Sequence, residues 1–152
     1  MLVTQKKQYA LRAIFELAKQ EGDQPLKSSV IAEAQSIPLR FLEVILGQLK
    51  RAGIVASKRG FFGGYRLTQP PDQICVVDIF RKLDREDGSQ ASVPCSAKGS
   101  CPFQGTCVFL QVWDQAEQAM NSVYERTTIQ TLIDQEAKQA DPDSLLRAAP
   151  VD

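Results

Sequence analysis

Residues 37–67, IPLRFLEVILGQLKRAGIVASKRGFFGGYRL, decide the fold of this chain. In the first part of this stretch the apolar residues recur at helical spacing, which predicts a buried stripe of Leu42, Ile45, Leu46 and Leu49. The opposite face of the same helix presents Arg40, Glu43, Gly47 and Lys50. We predict that the helix begins near residues 36–38, with Ser36 as its cap and Pro38 in its first turn. Gly53 ends it.

A β-hairpin is predicted directly after this helix. Ile54 and Val55 begin a short strand, and residues 57–67, SKRGFFGGYRL, return from a basic, glycine-rich tip. Glycines allow such a tip to turn tightly and to approach another molecule closely, and here they are Gly60, Gly63 and Gly64. Cationic side chains on the hairpin are expected to reach the phosphates or the minor groove of DNA, and these are Lys58, Arg59 and Arg66.

Two further helices are predicted before this stretch. The first has an apolar stripe at helical spacing that consists of Leu11, Ile14, Phe15 and Ala18. The second is short, with Ser28 or Ser29 as its cap and with Ile31 and Ala34 facing inward. Two helices joined by a turn of a few residues, the second exposing polar groups near its start, form a helix-turn-helix. Together with the hairpin they predict a winged helix-turn-helix.

The formal net charge of zero conceals an asymmetry between the two halves of the chain. Residues 1–67 contain 11 Lys/Arg and 5 Asp/Glu, whereas residues 68–152 contain 7 and 13. A basic first half is expected of a domain that contacts phosphates, and DNA would repel the acidic second half and so orient the protein. The charge distribution therefore supports double-stranded DNA as the partner of the first half.

The composition, 43% hydrophobic and 24% charged, is that of an ordinary globular protein. No apolar run approaches the roughly 18 residues of a membrane span, and charges interrupt the N-terminal segment. We therefore expect a cytoplasmic protein without a signal peptide and without a membrane partner.

Histidine is absent and no Cys-x-x-Cys pair occurs, which excludes Ser/His and Cys/His catalysis. We therefore expect that the protein is not an enzyme. The alternative is that it is a thiol oxidoreductase or a cluster carrier.

Three evenly spaced cysteines lie in residues 94–109, PCSAKGSCPFQGTCVF. Cys95, Cys101 and Cys107 have five residues between neighbours, which suits an iron–sulfur cluster better than zinc, whose paired ligands lie closer together. In the cytosol such thiols are metal ligands or redox sensors more often than structural disulfides. An iron–sulfur cluster, direct thiol redox switching, and a zinc site or inert cysteines all remain open at this point.

Four stretches of the chain resemble the Rrf2 family of winged-helix regulators: LVTQKKQYALRAIFELA (2–18), IPLRFLEVILGQLKRAGIV (37–55), SKRGFFGGYRL (57–67) and PPDQICVVDIFRKLD (70–84). The resemblance implies a dimeric bacterial transcription factor, which we interpret as a repressor acting on an operator. It also implies that the third helix enters the major groove, with Arg40 and Glu43 as base readers, because arginine bonds guanine and glutamate accepts from cytosine. The wing would enter the minor groove with Arg59 at its tip. Further DNA contacts are expected from Lys50, Lys58 and Arg66.

The same resemblance implies that the three cysteines hold a 2Fe–2S or 4Fe–4S cluster. IscR-like members add a histidine three residues after the last cysteine, where this chain has Leu110. NsrR-like members add an aspartate from the partner subunit, where this chain has Gln8. The fourth ligand is left open between a side-chain oxygen such as that of Gln8, a small thiol or water, and Cys75. Loss of the cluster, which would leave thiol redox switches, is the remaining alternative. The signal would be iron, oxygen, nitric oxide or redox state.

From residue 108 to residue 139 the chain contains neither proline nor glycine. Apolar residues near helical spacing predict one long helix that begins at Cys107 and carries Leu110, Trp113, Ala116, Met120, Val123 and Tyr124. We interpret this stripe as a dimerisation surface, with a core helix or a membrane-surface helix as alternatives, and we expect a short helix over about 128–138. The predicted division is a winged helix-turn-helix domain at 1–85, a cluster-binding loop at 86–107, the dimerisation and C-terminal helices at 108–139, and a flexible tail at 140–152.

Overall fold

The computed structural model describes residues 3–20, 22, 24–86, 88 and 107–140. Its helices are α1 (Gln5–Ala18), α2 (Ser28–Gln35), α3 (Leu39–Arg51), α4 (Val76–Glu86), α5 (Leu110–Arg126) and α6 (Ile129–Gln139). The strands β1 (Val55–Lys58) and β2 (Gly64–Leu67) pair antiparallel, and a single 3-10 turn at Pro71–Gln73 precedes α4. The predicted class, mainly α with a small β-hairpin wing, is confirmed.

The hydrophobic core lies where α1, α3 and α4 meet, with α2 and β1 at its edges. Its largest fully buried side chains are Phe80, Ile14, Ile31, Leu42, Ile45, Leu46, Leu49, Ile79, Leu83, Ile129 and Val55. The stripe predicted for α3 is confirmed, because all four of its residues belong to this set. Burial of that stripe fixes which side of α3 faces outward.

The turn between α2 and α3 differs from the prediction. Ser36 does not cap α3; it ends α2 in the left-handed conformation, with its backbone N–H donating to the carbonyl oxygens of Ala32 and Glu33. Ile37 is buried in the core, and its N–H donates to the Ala32 carbonyl oxygen at 2.9 Å. Pro38 then takes the cap position of α3 and makes no side-chain hydrogen bond there. Burial of Ile37 therefore sets the turn, and serine propensity does not.

The inward face of α2 also differs from the prediction. Ile31 is buried as expected, but Ala32 is its buried neighbour and Ala34 is exposed. Neither Ser28 nor Ser29 caps the helix, which follows Lys27 without a side-chain cap. Just before α2, Leu26 forms a backbone bridge with Tyr65 of the wing. This bridge determines where α2 starts and which of its sides faces the core.

Helix α1 turns slightly away from its predicted stripe. Ile14 is fully buried, Leu11 and Ala18 are half-buried against the edge of the core, and Phe15 is half-buried. The other buried positions of α1 are Lys7, Ala10, Ala13 and Leu17. The wider buried surface arises because α1 packs against α2, α3, α4 and α6 together.

The chain after α5 returns to the winged-helix body. The N–H of Val76 donates to the Thr127 carbonyl at 3.0 Å, and the N–H of Ile129 donates to the Ile74 carbonyl at 2.9 Å. These bonds flank a bridge between Cys75 and Thr128. They hold the start of α4 against the α5–α6 junction and place the half-buried Cys75 there. Of the helices that the structure describes, none is long and apolar enough to cross a membrane.

Candidate nucleic-acid interface

Helix α3 presents the predicted DNA-contacting side chains to solvent. Arg40, Glu43 and Lys50 are all exposed, opposite the buried stripe. Within the described residues, no ion pair involves any of these three side chains. A cationic group that is exposed and unengaged can bind a phosphate or a base edge without first breaking an internal ion pair. The outer face of α3 is therefore suited to DNA contact.

Two apolar residues that the sequence reasoning missed lie on the exposed side of α3. Phe41 is 58% exposed and Val44 is 63% exposed. Val44 lies four residues after Arg40 and three before Gly47, so all three share one face of the helix. That spacing was visible in the sequence, but an apolar residue on a polar face carries no signal of its own. In a DNA groove such side chains can contact the methyl group of thymine.

The wing is a hairpin with a fixed register. Val55 pairs with Leu67 and Lys58 with Gly64, which leaves a five-residue loop at 59–63. The N–H of Gly63 donates to the Gly60 carbonyl at 2.9 Å and closes this loop. A Cβ atom on Gly63 would collide with the carbonyl oxygen of Lys58, so the close turn requires glycine. The loop therefore projects Lys58 and Arg59 in a defined way, and both are exposed.

A groove separates the wing from the start of α2. Leu26 and Tyr65 exchange two backbone hydrogen bonds of 2.8 Å each, which join the two elements. The groove is lined by the polar residues Lys27, Ser28, Ser29, Ser57, Lys58 and Arg59, among others. Its cations and hydroxyl groups are the groups that contact phosphates in protein–DNA complexes. Sequence reasoning did not select Lys27, because only the backbone bridge brings it beside the wing.

The orientation of the wing relative to α3 is set by Thr68. Its hydroxyl donates to the carbonyl oxygens of Gly53 and Ile54, at 2.7 and 3.0 Å. Thr68 directly follows β2, and Gly53 lies in the turn that ends α3. These bonds hold the last strand of the wing against the end of the reading helix. The two candidate DNA-contacting elements are therefore fixed to each other.

Helix α5 begins at Leu110, three residues after the predicted start, and it has no buried residue. Tyr124 lies on the side that faces α4 and packs edge-on against Phe80, with ring centroids 5.2 Å apart. A separate row of apolar side chains at its start and along it is exposed, comprising Phe109, Val112, Trp113, Met120 and Val123. The side chains of this row are not part of the core of the single chain, whereas Tyr124 of the predicted stripe packs against that core.

The comparisons with known proteins agree with this geometry. The Rrf2 family model, described as an iron-dependent transcriptional regulator, matches residues 3–135. The chain belongs to the Rrf2 family. Its Rrf2 relatives include the transcriptional regulator IscR of Aliivibrio salmonicida, which is 30% identical over 150 residues, 98% of this chain and 88% of that protein.

Two solved Rrf2-type structures are similar in fold. T. potens IscR matches with a TM-score of 0.72 and 30% identity, over 93% of this chain and 91% of that one. CymR, the global cysteine regulator of B. subtilis, matches with a TM-score of 0.70 and 30% identity, over 87% and 95%. The predicted winged helix is therefore confirmed, and this Rrf2 chain is a DNA-binding transcriptional regulator. Its relatives are named as regulators, and no enzyme family is indicated.

The predicted ligands of this Rrf2 protein are only partly within the described residues. Cys95 and Cys101 lie outside them. Cys107 is half-buried just before α5, where its carbonyl accepts the N–H of Leu110 at 3.3 Å. Gln8 is exposed on α1. In the ranges that the structure describes, no group of three or more His, Cys, Asp or Glu is arranged to hold a metal ion.

Proposed function

We propose that this protein is a cytoplasmic, homodimeric repressor whose affinity for its operator depends on an iron–sulfur cluster held by Cys95, Cys101 and Cys107. The signal is iron, oxygen, nitric oxide or redox state. The observation that carries the proposal is the placement of the two ends of the cysteine-bearing segment. The end at Glu86 contacts α3, and the end at Cys107 leads into α5 with its exposed apolar row.

The first connection is an ion pair at the end of α4. The Nε of Arg51, at the end of α3, lies 2.7 Å from the Oε2 of Glu86, the last residue of α4. The segment that carries the cysteines begins directly after Glu86. A ligand that changed the conformation of that segment would therefore act on Glu86, which contacts Arg51 at the end of α3.

The second connection is to the dimerisation helix. Cys107 lies one turn before α5, so a ligand held by its sulfur would act on the position of the first turn of that helix. The exposed row of α5 is a surface that a second copy can bury through a two-fold axis. Ligand binding at the cysteines would in this way be coupled both to the contact between subunits and to the DNA-contacting winged helix, through one short stretch of chain.

The donor set fits an iron–sulfur cluster, which thiolates bind. Three of the four ligand positions would be Cys95, Cys101 and Cys107, and such a cluster would supply a redox-active, iron-dependent group. The fourth position has no histidine, because the chain contains none. Gln8 is the candidate we keep for it, because its side chain is exposed and can be contributed to a partner subunit.

The proposed contacts with DNA follow from the exposed groups. Arg40 and Glu43 would read base edges in the major groove. Arg59 at the wing tip would enter the minor groove, whose width arginine reads. Backbone phosphates would be bound by Lys50, Lys58 and Arg66. Glu43 repels phosphates, so it would act by selecting sequences and not by raising affinity.

The test of the cluster is anaerobic purification with iron, sulfide and visible absorbance measurements. We expect a brown protein, and a colourless one after Cys95→Ser, Cys101→Ser and Cys107→Ser are combined. Cys75→Ser is the matched control, because Cys75 is held at the α5–α6 junction by its bridge to Thr128 and should not affect the absorbance. Anaerobically purified protein without iron would refute the cluster and leave the transcriptional regulator intact.

A second candidate keeps the operator and makes the cysteines direct thiol switches. It is supported by the missing histidine ligand, because the chain contains no histidine. It requires that peroxide change the DNA affinity of metal-free protein and that a dithiol restore it. A metal-free protein whose affinity ignores peroxide would exclude this candidate.

A further inference from the structure

The tip of the wing carries two uncovered aromatic rings. Phe61 and Phe62 are each 81% exposed, more than any other large apolar side chain that the structure describes. Their ring centroids are 5.1 Å apart and their planes meet at 86°, an edge-to-face pair. Aromatic side chains at such exposure are characteristic of binding sites rather than of inert surface.

The pair is positioned and not merely exposed. The Nζ of Lys27 lies 5.1 Å from the centroid of Phe61, within cation–π range. The Gly63–Gly60 hydrogen bond closes the loop that carries both rings. Gly60 has a φ of +112°, which side-chain-bearing residues rarely adopt. Glycines and Lys27 therefore hold the two rings together at the outermost point of the hairpin.

The surroundings indicate what covers the rings. Lys27, Lys58 and Arg59 border the tip, so the partner must be rich in negative charge. It must also offer flat apolar surface to two aromatic rings. A DNA duplex meets both requirements, because stacked bases lie behind its phosphates. Since Thr68 fixes the wing to the end of α3, the same duplex can contact both elements.

We propose that Phe61 and Phe62 form an apolar wedge that enters the minor groove and partly unstacks one base step of the operator. This inference rests on the proposed function. Apolar side chains inserted in this way kink a duplex toward the major groove. Pyrimidine–purine steps such as TA and CA unstack most readily. The wedge therefore selects a flexible step beneath the wing without a hydrogen bond to either base.

The first experiment identifies the duplex and locates the step. A random DNA pool is selected with the wild-type protein, and the selected duplex is labelled with 2-aminopurine at successive positions. Unstacking raises the fluorescence of this base. We expect an increase at one step beneath the wing, together with a bend measured by energy transfer between dyes at the two ends.

Phe61→Ala combined with Phe62→Ala should abolish both signals and reduce affinity by about 10–100-fold. Discrimination between TA and a stiff AA step should be reduced by a similar factor. Arg59→Ala is the matched control: it weakens binding, but at saturating protein the fluorescence and the bend should persist. Thermal unfolding should be unchanged in both variants, because the replaced side chains are exposed.

Three results would overturn the wedge. The first is a wild-type complex with neither fluorescence increase nor bend, and the second is a double variant that retains both. The third is a double variant with altered sedimentation and unaltered DNA affinity, which would assign the rings to contacts between proteins. If the pool yields no preferred sequence at all, the proposed operator binding itself fails, so the two failures are distinguishable.

Discussion

The ammonium group of Lys7 lies 2.8 Å from Oδ1 and 2.9 Å from Oδ2 of Asp84. Lys7 is only 5% exposed, and its Nζ also lies 5.5 Å from the centroid of the Phe80 ring. A lysine is buried to this extent only when its charge is compensated. The contact joins the first turn of α1 to the end of α4. Lys7 lies one residue before Gln8 on α1.

Asp84→Ala should lower the free energy of unfolding by about 2–4 kcal/mol, because it removes the carboxylate beside a buried charge. Urea unfolding at fixed protein concentration measures this. The control is Glu125→Ala, which removes the partner of Arg81 in a largely exposed pair and should cost less than about 1 kcal/mol. Equal losses in the two variants would show that Lys7 is not stabilised by Asp84.

Arg40→Ala and Glu43→Ala should each change the preferred base at one position, by about 1–3 kcal/mol, because each removes a contact to a base edge. Binding to a set of duplexes with single base changes measures this. Lys138→Ala, which removes an exposed cation on α6, should leave every preference unchanged. If Glu43→Ala keeps the wild-type preferences, the outward face of α3 has been assigned incorrectly.

Val44 should contact the methyl group of a thymine base, because its side chain is exposed between Arg40 and Gly47 on the outer face of α3. Replacing single thymines of the selected duplex by deoxyuridine removes that methyl and nothing else. We expect wild-type affinity to fall about three- to tenfold at one position, in line with a loss of roughly one methyl contact. In Val44→Ala the same replacement should have no effect. A loss of equal size in both proteins would assign the methyl to another residue.

The sequence predicts those parts of the fold that depend on periodicity. The buried stripe of α3 follows from residue spacing, and so does the hairpin, whose glycines are required by close contacts such as that of Gly63 with Lys58. The turn at Ser36 could not be predicted in this way. Its conformation depends on the burial of Ile37, which is a tertiary contact and is not expressed in the local propensity of serine.

The candidate interface was predictable in its charges and not in its apolar members. Arg40 and Arg59 stand out by their charge and position, the family resemblance implies their roles, and both are exposed. Phe41 and Val44 were not, because exposed apolar residues on a helix resemble core residues until the packing of the helix is known. Lys27 became a candidate only through the Leu26–Tyr65 bridge, which joins segments about forty residues apart in the chain.

Val112→Glu should dissociate the proposed dimer. Val112 is exposed within the apolar row of α5, so a carboxylate there costs the single chain little. In a two-fold interface the same residue is buried twice, and each copy would place an unpaired charge against apolar side chains. We expect the dissociation constant of the dimer to rise about 100-fold or more, measured by sedimentation at several concentrations.

The control for this variant is Gln118→Glu, which introduces the same charge on the polar side of α5, where the residue is also exposed. It should sediment as the wild type does. Val112→Glu should also lose tight binding to a duplex with two half-sites while retaining weak binding to one, because each winged helix stays intact. Dimers that withstand Val112→Glu would place the subunit contact away from the exposed row. In that case Cys107 would lie beside a helix that does not form the interface, and the proposed coupling between the cluster and the dimer would have to be abandoned.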